Sequence, residues 1–182
     1  METTPKDFNT WDAQPQVKKG NRGESIVCAH LQRKGWVVYK AITNGRHCFD
    51  FLAIDNKHKA FLLEIKTKAR RTHHPDTGFE VSKYNEYKKV AKALALNIYI
   101  AFVDEIMGEI YGNYLHELEK PAVITVNGQQ ITYPVYANTV RDEPHRGRTI
   151  YFPLEHMATI ATLTPEDIAY LKEHSTRNKL YD

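Results

Sequence analysis

The sequence predicts an α/β protein with an αβββαβ core, in which helices flank a mixed sheet. A segment of helical periodicity precedes three short apolar runs of strand character, and a second such segment leads directly into a further strand. Strands joined by tight turns pair antiparallel, whereas a strand reached through a helix returns parallel to an earlier one. These two connection types together favour a mixed sheet.

The first helix is predicted over residues 16–34, because Gly35 is a typical stop signal. One face of this helix carries Glu24 together with the apolar residues Val27 and Leu31. An inward-facing glutamate near a helix start has two interpretations, and both stay open here. It stabilises the helix N-terminus through the dipole, or it is a third carboxylate of a metal site.

Three strands follow, at residues 36–39, in the run 49–55 and in the run 61–66. The short break at residues 56–58 indicates a hairpin between the second and third strands. The second strand carries Asp50, and the third carries Glu64 and Lys66. Because strand side chains alternate between faces, Glu64 and Lys66 must point the same way.

Asp50 and Glu64 stand where core residues are expected in apolar strands. Burying two carboxylates is costly unless a cation compensates them. The pattern therefore indicates a divalent metal held by Asp50 and Glu64, with Lys66 beside it. The alternative is a surface hairpin with an incidental Glu64–Lys66 ion pair, since an acid-x-lysine triplet also arises by chance.

Residues 67–81 are predicted to form a basic loop that can reach the metal site. A second helix is predicted from Ser82, as its N-cap, to about Leu96. Its buried stripe is expected to contain Tyr84, Tyr87, Ala91 and Leu94. A well-marked strand at residues 98–103 completes the core.

The C-terminal part is predicted to add a β-hairpin and a helix. Asn127-Gly128 lies between two β-branched runs and is a strong hairpin signal. A further strand is expected over residues 149–152, and Thr164 is expected to cap a final helix. We predict three segments: a flexible N-terminal arm at 1–15, a core at 16–113 and an elaboration packed on the core at 114–182.

Charge is distributed unevenly along the chain. Residues 18–92 hold seventeen Lys and Arg residues against seven Asp and Glu residues, whereas residues 93–182 hold seven against twelve. The net charge of +3 therefore conceals a basic segment around the acidic residues. A basic field of this kind suits a phosphate-backbone ligand, although a solvated basic face gives the same composition.

The remaining composition favours an intracellular protein. Two cysteines without a zinc-binding or disulfide spacing are typical of a reducing compartment. The N-terminus lacks the basic and apolar pattern of a signal peptide, and no apolar run is long enough to span a bilayer. We therefore expect a cytoplasmic location, or a phage-encoded protein that acts inside the host cell, and no membrane partner.

Taken in order, the run Gly20 to Glu24, Asp50 and the triplet Glu64-Ile65-Lys66 resemble the PD-(D/E)xK nuclease superfamily, and within it archaeal Holliday-junction-resolvase-like nucleases. The resemblance covers about residues 16–112. Phe49 stands where the family often has a proline, and the long C-terminal part departs from the family. The resemblance implies a restriction-endonuclease-like fold and a metal-dependent endodeoxyribonuclease that selects DNA structure, acting as a homodimer.

The resemblance also implies roles for individual residues. Asp50, Glu64 and the backbone carbonyl of Ile65 would bind Mg²⁺, for which Mn²⁺ would substitute, and Glu24 would join them. Lys66 would orient the attacking water or neutralise the phosphate. The predicted DNA-binding residues, which would contact phosphates without reading sequence, are Arg22, Lys68, Arg70, Arg71, His73, Lys83, Lys88 and Lys89.

Two alternatives to this function remain open. The chain could be a restriction-type or phage nuclease that acts on ordinary duplex DNA or its ends. It could also be a DNA-binding or assembly protein that keeps the fold without turnover, although the intact Asp50, Glu64 and Lys66 argue against this.

Overall fold

A computed structural model describes residues 12–40, 48–138 and 147–175 of the chain. Within these ranges the protein has the predicted mixed α/β fold, with a central mixed sheet flanked by helices. Residues 1–11 of the predicted arm lie outside the described residues. The first helix starts at Pro15, which the prediction placed in that arm.

The described elements follow one another as helices α1 to α4 and strands β1 to β11. In chain order they are α1 (Pro15–Arg33), β1 (Val37–Lys40), β2 (Phe51–Ile54), β3 (Ala60–Thr67), β4 (Asp76–Glu80), α2 (Val81–Leu94), β5 (Ile98–Asp104), β6 (Glu109–Tyr114), α3 (Leu115–Leu118), β7 (Ala122–Val126), β8 (Gln129–Tyr133), β9 (Val135–Asn138), β10 (Arg148–Pro153), a 3₁₀ turn (Leu154–His156), β11 (Ala158–Thr162) and α4 (Pro165–Glu173).

The central sheet has six strands in the order β1-β2-β3-β5-β6-β11. Strands β1, β2 and β3 form an antiparallel meander, and β3 then pairs parallel with β5. The parallel pair arises because α2 carries the chain back across the sheet before β5 begins. Two smaller sheets accompany it, one in the order β4-β10-β9 and the other formed by the β7–β8 hairpin.

The inner strands β2, β3 and β5 of the central sheet are covered on both faces, which explains why they are apolar almost throughout. One face packs against α1 and α4, around Val27, Leu31, Phe61 and Leu163. The opposite face packs against α2 and the β4–β10 pair, around Leu62, Phe79, Tyr87, Phe102 and Ile150. Glu64 and Lys66 are on this second face, because they alternate with Ile65 along β3.

Three predictions from local sequence are confirmed: a helix stop, a hairpin turn and a helix cap. Gly35 follows α1 with a φ of +79°, a left-handed conformation that glycine adopts without strain. Asn127 and Gly128 both have positive φ and connect β7 to β8. Thr164 caps α4, where its hydroxyl accepts a hydrogen bond from the Asp167 amide at 3.2 Å.

The prediction that residues 67–81 form one loop is wrong in its second half. Residues 76–80 form β4, which pairs antiparallel with β10, so that Phe79 lies opposite Ile150. Gly78 permits this approach, since a Cβ there would lie 1.9 Å from the Ile150 carbonyl oxygen. The pairing joins segments about seventy positions apart in the chain, so the local pattern did not reveal it.

Two details of the second helix are also corrected. Glu80 rather than Ser82 is the N-cap of α2, because β4 runs directly into the helix and fixes where it begins. Leu94 is 51% exposed at the helix end, so it does not belong to the buried stripe. Tyr87 is the most deeply buried residue of that stripe, at 1% exposure.

Strands β6 and β11 extend the central sheet beyond β5 and were not predicted from the sequence. Strand β6 contains Gly112 and Asn113, which are rare in strands and weaken the local pattern. Gly112 is needed because a Cβ there would lie 2.1 Å from the Ile100 carbonyl oxygen on β5. Strand β11 is short and largely solvent-facing, so it carries little apolar periodicity.

No helix in the described ranges combines the length and the apolar character that crossing a bilayer demands.

Candidate active site

Strand β3 presents Glu64 and Lys66 side by side, as strand alternation predicts. The Lys66 ammonium donates a hydrogen bond to Glu64 Oε1, with an Nζ–Oε1 distance of 2.6 Å. Glu64 is only 6% exposed, although it is a carboxylate in the interior of a sheet. Because its environment is mostly apolar, its ionised form depends on nearby cations and hydrogen-bond donors.

Asp50 lies directly before β2 and is held against β3 by two hydrogen bonds. Its backbone amide donates to the Leu63 carbonyl at 3.2 Å, and its Oδ2 accepts from the Ile65 amide at 2.7 Å. The amide and carbonyl of one strand residue point to the same side of the strand. The Ile65 carbonyl therefore lies on the side of β3 where Asp50 sits.

Electrostatic effects show that Asp50 and Glu64 are close enough to repel each other. Burial and, next in size, the charge of Glu64 raise the pKa of Asp50 to about 7. Glu24 adds a smaller effect in the same direction, whereas the Ile65 amide and Lys66 oppose it. This arrangement would be stabilised by an additional positive charge between the carboxylates.

Glu24 reaches this end of the sheet because α1 packs closely on β3. A Cβ on Gly23 would lie 1.9 Å from Thr67 Oγ1, so the close approach requires glycine at this position. The Glu24 carboxylate forms an ion pair with Lys40 at the end of β1, with an Nζ–Oε2 distance of 3.1 Å. The structure thus brings Glu24 near Asp50 but gives it a lysine partner of its own.

Tyr87 is a residue of this site that the sequence analysis assigned only to the buried stripe of α2. Its hydroxyl donates to Glu64 Oε1 at 2.5 Å. Burial and the charge of Glu64 raise the pKa of Tyr87 well above its ordinary value, so the hydroxyl keeps its proton. One signal could have identified it, because a buried tyrosine hydroxyl normally requires a polar partner.

The predicted DNA-binding arginines all make ion pairs within the protein. Arg22 pairs with Asp167 at 2.6 Å, between α1 and α4. Arg70 pairs with Asp104 at 2.9 Å and also with Glu109. Arg71 pairs with Asp76, and its guanidinium stacks 4.0 Å from the centroid of the Tyr151 ring. Their positive charges are therefore partly neutralised.

The remaining predicted DNA-binding residues are spread over two regions. Lys83 and Lys88 lie on α2 and pair with Glu86 and Glu119, whereas Lys89 is exposed on the same helix. Lys68 follows β3 and donates to the Gly78 carbonyl at 2.9 Å. Their contact with DNA stays a prediction.

The loop after β3 lines a groove beyond the ends of β3 and β5. The groove has a volume of about 750 Å³ and lies between residues 69–74 and residues 105–107. His73 is exposed on the loop side, and Ile106 and Met107 are exposed on the other side. The surface beyond β3 and β5 is therefore concave and carries both basic and apolar groups.

The donor set suits a hard divalent cation, which prefers carboxylate and carbonyl oxygens. Both hydrogen bonds that Glu64 accepts from described residues end on Oε1, which leaves Oε2 for a metal. Among the described residues, no group of three or more His, Cys, Asp or Glu side chains is arranged to hold a metal ion. A metal here would accordingly rely on Asp50, Glu64, the Ile65 carbonyl and water.

Comparison with known proteins gives a weak structural likeness. No protein-family model and no curated protein matches the chain. Among solved structures it is similar to Hjc, a Holliday junction resolvase from the archaeal hyperthermophile Archaeoglobus fulgidus, with 11% sequence identity and a TM-score of 0.47. The match covers 76% of this chain and 86% of that protein. A likeness of this size carries no argument about function.

Proposed function

We propose that this protein is a Mg²⁺-dependent endodeoxyribonuclease that hydrolyses DNA phosphodiesters, with Mn²⁺ able to replace Mg²⁺. The observation that supports it best is the meeting of Asp50, Glu64 and Lys66 at one end of the central sheet. Two mutually repelling carboxylates beside a lysine are a costly arrangement for a fold alone. They suit a reaction in which negative charge develops on a phosphate.

The residues divide the chemistry between them. Asp50, Glu64 and the Ile65 carbonyl would hold the metal, and Glu24 would act on it from α1 through a water molecule. When bound, the metal would acidify a water molecule and stabilise the charge that develops on the phosphate. The Lys66 ammonium would orient that water or neutralise the attacked phosphate through a hydrogen bond from its Nζ.

DNA would reach the site along the basic surface around β3 and α2. Lys68, Lys83, Lys88, Lys89 and His73 would contact phosphates, which positions a duplex without reading its sequence. Arg22, Arg70 and Arg71 would contribute less, because each pairs with a carboxylate that is more buried than the Glu86 and Glu119 partners of the lysines. This electrostatic binding should weaken steeply with salt.

Four further assignments belong to the same proposal. The catalytic unit would span residues 16–113, and residues 114–182 would be an elaboration packed on it. The enzyme would act as a homodimer on branched DNA, such as a four-way junction. It would act inside the cell, or inside the host cell of a phage.

A cleavage assay on three substrates tests this proposal. Supercoiled plasmid, linear duplex and a four-way junction are each incubated with the protein in Mg²⁺ or in EDTA. We expect Mg²⁺-dependent cleavage with a preference for the junction. Equal cutting of all three would favour a nuclease for ordinary duplex, and salt-sensitive binding without cleavage would contradict an enzymatic role.

A further inference from the structure

We propose that Tyr87 is a positioning residue of the candidate metal site, which orients the Glu64 carboxylate so that Oε2 faces the cation. This inference rests on the proposed function, because it assigns a role to Tyr87 only if Glu64 binds a metal. It goes beyond the acid and lysine pattern of the strands, since Tyr87 belongs to α2 on the face that covers them.

Both hydrogen-bond donors from the described ranges that contact the Glu64 carboxylate bind the same oxygen, Oε1. The Tyr87 hydroxyl and the Lys66 ammonium donate to Glu64 Oε1 at 2.5 Å and 2.6 Å. With two short, charge-assisted hydrogen bonds on Oε1, rotation of the carboxylate group would break both. The remaining oxygen, Oε2, is therefore the one presented to a metal.

Packing as well as the hydrogen bond holds the Tyr87 side chain in place. Tyr87 is 1% exposed, and its ring packs against Phe79 with a centroid distance of 5.5 Å. The Lys66 ammonium lies 5.6 Å from the Tyr87 ring centroid and 5.9 Å from that of Phe79. The same aromatic pair therefore restrains both donors to Glu64.

Removing the hydroxyl should loosen the carboxylate without removing the ligand. Outer partners of metal ligands typically change metal affinity by about 10- to 100-fold when they are mutated. Because Lys66 still donates to Oε1, we expect the lower end for Tyr87→Phe, about a tenfold loss of affinity. The aromatic ring and its packing remain in place.

The test measures Mn²⁺ affinity by electron paramagnetic resonance, with no DNA present. The matched control is Tyr84→Phe, which removes a hydroxyl from the same helix. Tyr84 donates to Glu119, outside the candidate site. We expect weaker Mn²⁺ binding in Tyr87→Phe alone; wild-type affinity there, or an equal loss in both variants, would overturn the proposal.

A double-mutant comparison separates positioning from general loss of structure. If Tyr87 acts through Glu64, Tyr87→Phe should change Mn²⁺ affinity in the wild-type background but not beside Glu64→Gln. An equal further loss beside Glu64→Gln would contradict the positioning role, whatever the change in melting temperature. Absence of Mn²⁺ binding by the wild-type protein would instead contradict the proposed function itself.

Discussion

Two of the regions of this protein that contain buried carboxylates differ in their surroundings. In the region after β3 and β5, Asp76 and Asp104 are both fully buried. In the candidate site, Asp50 and Glu64 lie side by side, and Lys66 pairs with Glu64. Asp76 and Asp104 each form an ion pair with an arginine, whereas Asp50 lies beside a second carboxylate, that of Glu64.

The first region satisfies each acid with several donors. Asp76 accepts from the Arg71 guanidinium and from the Tyr133 hydroxyl, the latter at 2.7 Å. Asp104 accepts from Arg70, from the Tyr111 hydroxyl and from two backbone amides of the following turn. These are the partners that a buried structural carboxylate requires.

The second region places two carboxylates beside each other, and Lys66 pairs with one of them, Glu64. Burial and the charge of Glu64 raise the pKa of Asp50, which means that ionising both acids is costly in the metal-free protein. The difference teaches that burial alone does not identify a functional acid. What distinguishes the candidate site is that a neighbouring carboxylate raises the cost of ionising Asp50, which a bound cation would lower.

The largest expected effect comes from removing an acid of the candidate site. Asp50→Ala and Glu64→Ala should each reduce Mg²⁺-dependent cleavage about a thousandfold or more, because a metal stabilises the transition state by several kcal/mol. The measurement is the initial rate of plasmid or junction cleavage. Full metal-dependent activity in either variant would show that the site is assigned to the wrong residues.

Removing an acid of the first region should instead affect folding. Asp76→Asn leaves the Arg71 guanidinium without its carboxylate, and we expect a loss of about 2–3 kcal/mol in unfolding free energy, because Arg71 is only partly buried. Urea denaturation measures this loss. Mn²⁺ affinity of the folded variant should stay at the wild-type value, and a selective loss of Mn²⁺ affinity with normal stability would erase the contrast between the regions.

Lys66 should matter for the reaction more than for the metal. Lys66→Met keeps an unbranched side chain between Phe79 and Tyr87 but removes the ammonium, so cleavage should fall about a hundredfold. Mn²⁺ affinity should change less than in Tyr87→Phe, because removing a neighbouring positive charge favours the cation and offsets the lost hydrogen bond to Glu64 Oε1. Loss of Mn²⁺ binding in this variant would mean that Lys66 holds the site together instead.

The close packing of α1 on β3 gives a smaller effect. Gly23→Ala would place a methyl group against the Oγ1, Cβ and Cγ2 atoms of Thr67, which should cost about 2 kcal/mol. The matched control is Gly20→Ala on the same helix, which has open space and should stabilise the protein slightly. Thermal unfolding compares the two, and equal melting temperatures would contradict the close approach.

The smallest expected effect is a pH dependence of metal binding. Asp50 must lose its proton to bind a cation, and its pKa of about 7 is raised, so the ionised form grows from pH 6 to pH 8. Mn²⁺ affinity of the wild-type protein should therefore rise about tenfold over this range. Asp50→Asn should lack the rise, and a flat wild-type profile would contradict the repulsion between the acids.

Local sequence patterns were sufficient to predict the part of the site that lies on neighbouring strands. Alternation places Glu64 and Lys66 on one face, and a hairpin brings Asp50 beside them, so short-range rules apply. The mixed sheet followed from the same connections. The acids and the lysine are fewer than twenty positions apart, and the parallel β3–β5 pair needed only the intervening helix to be recognised.

Contacts between distant segments could not be predicted in this way. The hydroxyl of Tyr87 reaches Glu64 only because α2 folds over the sheet, and β4 exists only because β10 pairs with it. The ion pairs of Arg70 and Arg71 likewise depend on tertiary structure. A count of basic residues therefore overstated how much positive charge is available to an anionic ligand.

A crystal of the protein soaked in Mn²⁺ tests the central claim most directly, through the anomalous scattering of the ion. We predict one or two anomalous peaks within coordination distance of the Asp50 and Glu64 carboxylates, with Glu64 bound through Oε2. Well-ordered carboxylates without a peak between them, at saturating Mn²⁺, would contradict the claim.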